Sequence, residues 1–171
     1  MVLFTENADV SVRPAIAQDA PHIARIQNES WTATLPHIFG PESPLAVDVE
    51  SVQQQWLDAI VRPPSAEYGL FTALSGGDIV GFCAVAPQTI IALEVTAAHQ
   101  KQGHGSRLLT AAVDTLQRNG ATQVTVWIPE TAAAKQAFYA SAGLAQDGRV
   151  RQLNVDSDTT LVEERWHAEL A

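Results

Sequence analysis

The hydrophobic residues of this chain recur at two spacings, one typical of helices and the other typical of strands. From residue 109 to residue 118 they return every three or four positions, which predicts a helix with one buried face. From residue 122 to residue 128 they alternate with polar residues, which predicts a half-buried strand. Extended along the chain, these spacings predict strands at 9–13, 68–74, 79–86, 89–95, 122–128, 149–155 and 160–168, and helices at 17–30, 49–60, 109–118 and 131–143.

Glycine and proline residues mark where several of these elements end. Ser75-Gly-Gly-Asp78 is typical of a two-residue hairpin turn, so the strands on either side of it are expected to pair antiparallel. Pro36, Pro41 and Pro44 predict a loop over residues 34–47, because proline lacks the amide hydrogen that regular structure needs. The order of elements indicates a mixed α/β fold with a strand, loop, helix and strand at its centre.

Length and composition predict one globular domain spanning residues 1–171. The chain has 171 residues and 46% hydrophobic content, which suits a single well-buried core. Cys83 is the only cysteine, so neither a disulfide framework nor a cysteine-based zinc site is available. The first residues show no basic leader, and no apolar run reaches the roughly 18 residues of a membrane span. We therefore expect a cytoplasmic protein that does not enter a membrane.

The charge of the chain is negative and unevenly distributed. The formal net charge is -9, which argues against a nucleic-acid binder because phosphate contacts require clustered lysine and arginine. Residues 1–98 carry a net charge of -8, whereas residues 99–171 carry only -1. The basic side chains are therefore concentrated in the second half of the chain, which contains the loop at residues 99–106 and the helix predicted at 109–118.

That loop, residues 99–106, has the composition of an anion-binding segment. A glycine-rich stretch between a strand and a helix presents several backbone N–H groups in one direction, and the helix dipole adds partial positive charge there. The spacing fits neither a Walker loop nor a dinucleotide fingerprint. His99 and His104 have no nearby acidic or cysteine partner, so we expect no metal site. A turn without a ligand remains an alternative on these residues alone.

Two motifs give the chain a family resemblance. Val95 followed by Gln100-x-x-Gly103-x-Gly105 resembles motif A of the GNAT superfamily of acyl-CoA-dependent N-acetyltransferases. Ala137-Phe138-Tyr139-x-x-x-Gly143-Leu144 resembles the second cofactor motif of that family. The resemblance implies a central, mostly antiparallel sheet with a β-loop-α-β cofactor unit and helices on both faces. The chain departs from the second motif at Ala132 and Lys135, where the family usually has asparagine and alanine.

The cofactor that the resemblance implies is acetyl-CoA. Its pyrophosphate would lie on the backbone N–H groups of residues 100–106, and its pantetheine arm would add to the edge of the strand that ends at Val95. A splay between that strand and the strand at 122–128 would provide the slot. The side chain of His104 is expected to pack rather than to carry charge. The residues assigned to the cofactor in this way are Leu93, Val95, Ala97, Gln100, Lys101, Gln102, Gly103, His104, Gly105, Ser106, Lys135 and Phe138.

The resemblance also implies a general acid for the reaction, but it identifies no residue of this chain as the general base. Tyr139 matches the family tyrosine that protonates the departing thiolate, and we expect it on the flank of a buried stripe formed by Ala134, Ala137 and Phe138. A purely packing tyrosine is the alternative. Relatives carry a glutamate or histidine as the general base at the positions of Thr89 and Ile91, and neither of these two residues can accept a proton at neutral pH. Glu94 is expected on the opposite face of the sheet from Val95, while Glu29, His37 and Glu67 could act through water.

The resemblance also implies that the acceptor site is formed by the first two helices and the segment between them. Glu29 and Trp31 are its candidate residues, and the acidic half of the chain favours a cationic amine. A small-molecule amine is favoured over a protein N-terminus, and the chain is expected to be a monomer or a homodimer. A non-catalytic acyl-CoA sensor is the alternative function, because the base is missing from the strand.

Overall fold

One sheet of seven strands runs through the residues that the computed structural model describes, which are 10–39, 48–154 and 160–171. The strands are β1 (Val10–Pro14), β2 (Gly69–Ser75), β3 (Asp78–Ala86), β4 (Thr89–Val95), β5 (Gln123–Pro129), β6 (Ala145–Asn154) and β7 (Thr160–Glu169). The helices are α1 (Ala20–Phe39), α2 (Val49–Val61), α3 (His104–Arg118) and α4 (Ala133–Ser141). Short 3-10 turns at Ala17–Asp19 and Ala97–His99 precede α1 and the central loop.

The sheet is mostly antiparallel, as predicted. Its strands lie in the order β1, β2, β3, β4, β5, β7, β6, and only β4 and β5 are parallel. A parallel pair requires a crossover connection, and the segment containing α3 provides it. The β2–β3 hairpin turns through Gly76 and Gly77, both with positive φ, which confirms the hairpin expected from Ser75-Gly-Gly-Asp78.

Helices cover both faces of the sheet, and each face has its own hydrophobic cluster. On one face, α3 buries Leu108, Ala112 and Leu116 against the inner strands. On the other face, α1 and α2 surround Phe82, which is fully buried. The periodicity of α3 predicted its buried stripe correctly, although the helix begins at His104 rather than at residue 109.

The predicted loop at 34–47 is wrong over its first part. Helix α1 continues through Pro36 and ends at Phe39, whereas residues 40–47 lie outside the described part of the chain. A proline removes one helical hydrogen bond, and packing of the preceding turns can outweigh that loss. Strand β6 also begins earlier than predicted, because an irregularity between Gln146 and Val150 interrupts the alternation that the prediction used.

The buried face of α4 differs from the predicted one. Ala134 and Ala137 are exposed and Phe138 is half-buried, whereas Tyr139 is buried with 4% of its surface accessible. The helix has nine residues and several alanines, so its sequence offers little contrast between polar and apolar faces. Tertiary contacts therefore decide which side of α4 faces the core.

One long helix raises the question of membrane insertion. In the parts of the chain that the structure describes, no helix combines the length and the apolar character needed to cross a membrane.

Gly81 in β3 allows the end of β4 to approach closely, and we predict that Gly81→Ala destabilises the fold. An added Cβ would lie 2.8 Å from the backbone oxygen of Glu94 and 3.2 Å from Leu108. We expect a loss of about 1–3 kcal/mol in the free energy of unfolding, measured by urea denaturation. Gly69→Ala is the control, because its Cβ would meet only the side chains of Val85 and Phe71. Equal effects of the two substitutions would contradict the argument.

Candidate active site

A slot opens in the sheet where β4 and β5 separate. The two strands pair only at Thr89 with Thr125 and at Ile90 with Val126. The residues of β4 from Ala92 to Val95 pair with β3 on one side and have no register partner in β5 on the other. This confirms the splay that the motif resemblance implied.

The backbone of β4 presents hydrogen-bonding groups to this slot. The N–H of Thr96 donates to the carbonyl of Val80 at 2.8 Å, which orients Thr96 toward β3. Because backbone direction alternates along a strand, the N–H and C=O groups of Leu93 and Val95 point away from β3 and toward the slot. The side-chain amide of Gln100 already donates to the carbonyl of Val95 at 3.1 Å. The edge is therefore suited to an extended, amide-containing ligand.

The loop before α3 ends in a helix terminus that no side chain caps. Gly103 is the N-cap residue with a φ of 90°, and Lys101 also has a positive φ of 60°. The first intrahelical bond is donated by Arg107 to the carbonyl of Gly103 at 3.1 Å. The preceding N–H groups, from Gly103 to Ser106, thus have no helical acceptor and are available to an anion.

Gly105 allows the loop to approach the second motif. A Cβ at this position would lie 3.3 Å from the ring of Phe138 and 4.0 Å from the side chain of Leu93. Phe138 therefore packs directly against the backbone at the start of α3. A larger residue at position 105 would separate the loop from α4.

These elements enclose a cleft of about 400 Å³ that brings most of the predicted cofactor residues together. Its lining includes Leu93, Val95, Gln100, Lys101, Gly103, Gly105, Ser106, Lys135, Phe138 and Tyr139. Ala97 lines the neighbouring cavity instead, and Gln102 is exposed on the outer side of the loop. The uncapped terminus of α3 suits a phosphate at one end of the cleft. The unpaired edge of β4 suits an extended arm along the rest of it.

His104 lies beneath the loop rather than in the cleft. It is 1% exposed, and neither ring nitrogen has a hydrogen-bond partner within the described residues. Burial lowers the pKa of its imidazole, and the charges of His99 and Arg107 lower it further. The side chain is therefore neutral at physiological pH, in agreement with the predicted packing role.

Two further cavities adjoin the cleft on the side of α1. One, of about 440 Å³, is lined by Glu29, Ser30 and Thr34 of α1 and by Glu94 and Lys135. The other, of about 260 Å³, lies between Trp31 and Trp127 and extends to Tyr139. The structure thus places both predicted acceptor residues at cavities that adjoin the cleft, although they line different ones.

Glu94 is the site residue that the sequence analysis missed. Its direction was predicted correctly, since its carboxylate faces α1, where the hydroxyl of Ser30 donates to it at 2.9 Å. It was not among the predicted site residues, yet the slot opens on that face and Glu94 lines all three cavities. The ammonium of Lys135 also binds this carboxylate, at 2.6 Å. A phosphate contact by Lys135 would require this ion pair to open.

Tyr139 borders both the cleft and the aromatic cavity. Burial is the main cause that raises the pKa of its phenol far above the usual range, with smaller contributions from Cys83 and Glu94. The hydroxyl therefore keeps its proton at every working pH. Such a group has a proton to donate and is unsuited to act as a base.

Thr89 and Ile91, at the positions where the motif resemblance implies a base, do not line the cleft, and neither does Glu67. The hydroxyl of Thr89 lies 2.9 Å from that of Thr125, and Ile91 is exposed. Glu67 lies in an exposed turn before β2, and the side chain of His37 is outside the described part of the molecule. Within the described residues, no three histidine, cysteine, aspartate or glutamate side chains cluster as metal ligands would.

Comparisons with known proteins give a consistent result. A family model described as acetyltransferase (GNAT) family matches residues 22–144. The Bacillus subtilis (strain 168) protein described as uncharacterized N-acetyltransferase YuaI is 24% identical over 131 residues, which cover 71% of this chain and 72% of the relative.

Solved structures share the fold at low identity. The yncA protein of Salmonella typhimurium, solved with its cofactor acetyl-CoA, has a TM-score of 0.71 and 19% identity over 95% of both chains. The ribosomal-protein-alanine N-acetyltransferase of Brucella melitensis has a TM-score of 0.72 and 19% identity, covering 94% of this chain and 99% of its own. At these identities the likeness concerns the fold.

The positive φ of Gly103 generates a prediction about the loop. Gly103→Val should weaken the binding of acetyl-CoA, the cofactor implied by the motifs, by about 2 kcal/mol, or roughly thirtyfold in Kd by calorimetry. A β-branched residue cannot hold this conformation without strain, so the N–H groups would turn away. Gly120→Val is the matched control, since Gly120 has a similar φ of 83° at the other end of α3. An unchanged Kd in Gly103→Val would remove the loop from the site.

Proposed function

Because the chain belongs to the acetyltransferase (GNAT) family, we propose that it transfers the acetyl group of acetyl-CoA directly to the amine of a small molecule. The observation that carries this proposal is that the cleft and the cavity beside α1 share one wall. Glu94, Val95 and Lys135 line both spaces, so a donor and an acceptor can meet there without a covalent enzyme intermediate.

The backbone supplies most of the proposed cofactor contacts. The N–H groups from Gly103 to Ser106 bind the pyrophosphate, and Leu93 and Val95 bind the extended arm as a neighbouring strand would. Acetyl-CoA supplies an activated thioester when bound. The N–H of Leu93 is the proposed donor to the carbonyl oxygen, whose negative charge grows during the reaction.

Tyr139 is the proposed general acid. Its phenol stays protonated because it is buried, and it borders the cleft near Glu94. We assign it the proton that the departing thiolate requires. A proton donor in this position contributes roughly 10² to 10⁴ in rate.

Cavity size and charge support a small cationic acceptor. Spaces of about 440 Å³ and 260 Å³ suit a small molecule, and Glu29 and Glu94 give the larger one negative charge. The acidic half of the chain, residues 1–98, contributes Glu29, Trp31 and Glu94 to these walls. A protein N-terminus is the alternative acceptor, and a sensor without turnover is the alternative function.

The test is thiol release from acetyl-CoA against a panel of amines, with thermal shift by acetyl-CoA measured in parallel. We expect turnover with cationic small-molecule amines and a KM that rises with ionic strength, because salt screens exposed charges within about 10 Å at 0.1 M. A thermal shift without turnover on any amine or N-terminal peptide would favour the sensor. A preference for acidic acceptors would contradict the charge argument.

A further prediction concerns Tyr139→Phe, which keeps the ring but removes the proton. We expect kcat to fall by roughly 10² to 10⁴ with little change in the Kd for acetyl-CoA. In the unmodified protein, kcat should show no alkaline decline from this phenol up to about pH 9, because burial raises its pKa. Tyr68→Phe is the matched control, since Tyr68 is the only other tyrosine and lies away from the cleft. Unchanged kcat in Tyr139→Phe would exclude the proposed acid.

A further inference from the structure

Lys135 holds a reactive group at the junction of the cofactor and acceptor spaces. Its side chain is 40% exposed, and its ammonium lies 2.6 Å from the carboxylate of Glu94, which is 15% exposed. Lys135 lines the cofactor cleft and both cavities beside α1. The chain thus presents one of its own primary amines where the proposed reaction requires an acceptor amine.

We propose that Lys135 is a self-acetylation site, at which the protein transfers an acetyl group from bound acetyl-CoA to its own Nζ atom. This inference rests on the proposed function, because the same cleft must hold the donor. It makes Lys135 a modification site as well as part of the wall.

The arrangement on α4 supports the transfer. Lys135 precedes Tyr139 by four residues, so both side chains lie on the same face of the helix. Both border the cleft together with Leu93, whose backbone N–H points into the slot. An amine held within the same molecule has a high effective concentration at the reacting atom, so the transfer needs no encounter with a second protein.

Residues already in place account for every proton transfer in the proposed acetylation of Lys135. One ammonium proton of Lys135 passes to the carboxylate of Glu94, which frees the nitrogen lone pair. The Lys135 nitrogen bonds to the acetyl carbonyl carbon while the carbon–sulfur bond breaks, and Tyr139 gives its proton to the sulfur. Tyr139 regains a proton from the acylated nitrogen, and Glu94 releases its proton to solvent. The products are N-acetyl-Lys135, the CoA thiol and one proton.

Acetylation would change the charge of the site. It removes the positive charge of Lys135, so Glu94 loses its ion pair and keeps only the hydroxyl of Ser30. A carboxylate without a cationic partner is a better site for a cationic acceptor. The modified protein should therefore bind cationic amines with a lower KM than a Lys135→Arg variant, in which the charge remains.

The experiment incubates the full chain with isotopically labelled acetyl-CoA, without an added amine, and maps the label by peptide mass spectrometry. We expect one label on Lys135, at least about tenfold above that on Lys101. Lys101 is the internal control, because it is the only other lysine and lies at the glycine-loop end of the same cleft. The fraction of chains labelled per unit time should be independent of protein concentration, because the reaction occurs within one chain. Equal labelling of both lysines, or a labelled fraction per unit time that rises in proportion to protein concentration, would overturn the proposal.

Variants separate this inference from the proposed function. Glu94→Gln should slow labelling of Lys135 by roughly 10² if the carboxylate takes the proton, while Glu50→Gln, at an exposed carboxylate of α2, should leave it unchanged. Turnover of added amines without label on Lys135 would overturn self-acetylation and leave the proposed function standing. Label on Lys135 without turnover of any added amine would overturn the proposed transfer to a small molecule and leave self-acetylation standing. Binding of acetyl-CoA, seen by thermal shift, with neither signal would contradict both.

Discussion

The divergence of β4 from β5 is the constraint on which the site depends. Two parallel strands that pair over only two residues leave the N–H and C=O groups of Leu93 and Val95 without a strand partner. Unpaired backbone groups in a protein interior are costly, so this edge favours a ligand or water that restores the bonds. The loop before α3 supplies the complementary end, since its helix terminus lacks a side-chain cap. Binding groups of this kind belong to the backbone, so they do not depend on particular side chains.

Close packing holds the two sides of the slot in place. Gly81 brings β3 within reach of the Glu94 carbonyl, and Gly105 brings α3 against Phe138. A side chain at either glycine would move one wall relative to the other. The width of the cleft therefore depends on two residues that have no side chain.

The Glu94–Lys135 ion pair is the main electrostatic feature where the spaces meet. It joins β4 to α4 across the slot, and Ser30 connects the same carboxylate to α1. Three elements thus converge on one charged group that borders the cleft and both adjoining cavities. Because the pair is partly exposed, its contribution to folding stability is modest, and its position gives it a greater influence on what binds there.

The sequence by itself determined the order of the elements, the hairpin at Gly76 and Gly77, the buried stripe of α3 and the glycine loop. These features are local, since periodicity and turn chemistry act over a few neighbouring residues. The motifs also indicated the backbone positions that line the cleft. Tertiary structure alone decided that α1 continues through Pro36, that Tyr139 rather than Ala134 and Ala137 is buried, and that Glu94 meets Lys135. Strand alternation gave the direction of Glu94 correctly, but only the separation of β4 from β5 opens that face of the sheet, because this separation depends on contacts between residues far apart in the chain.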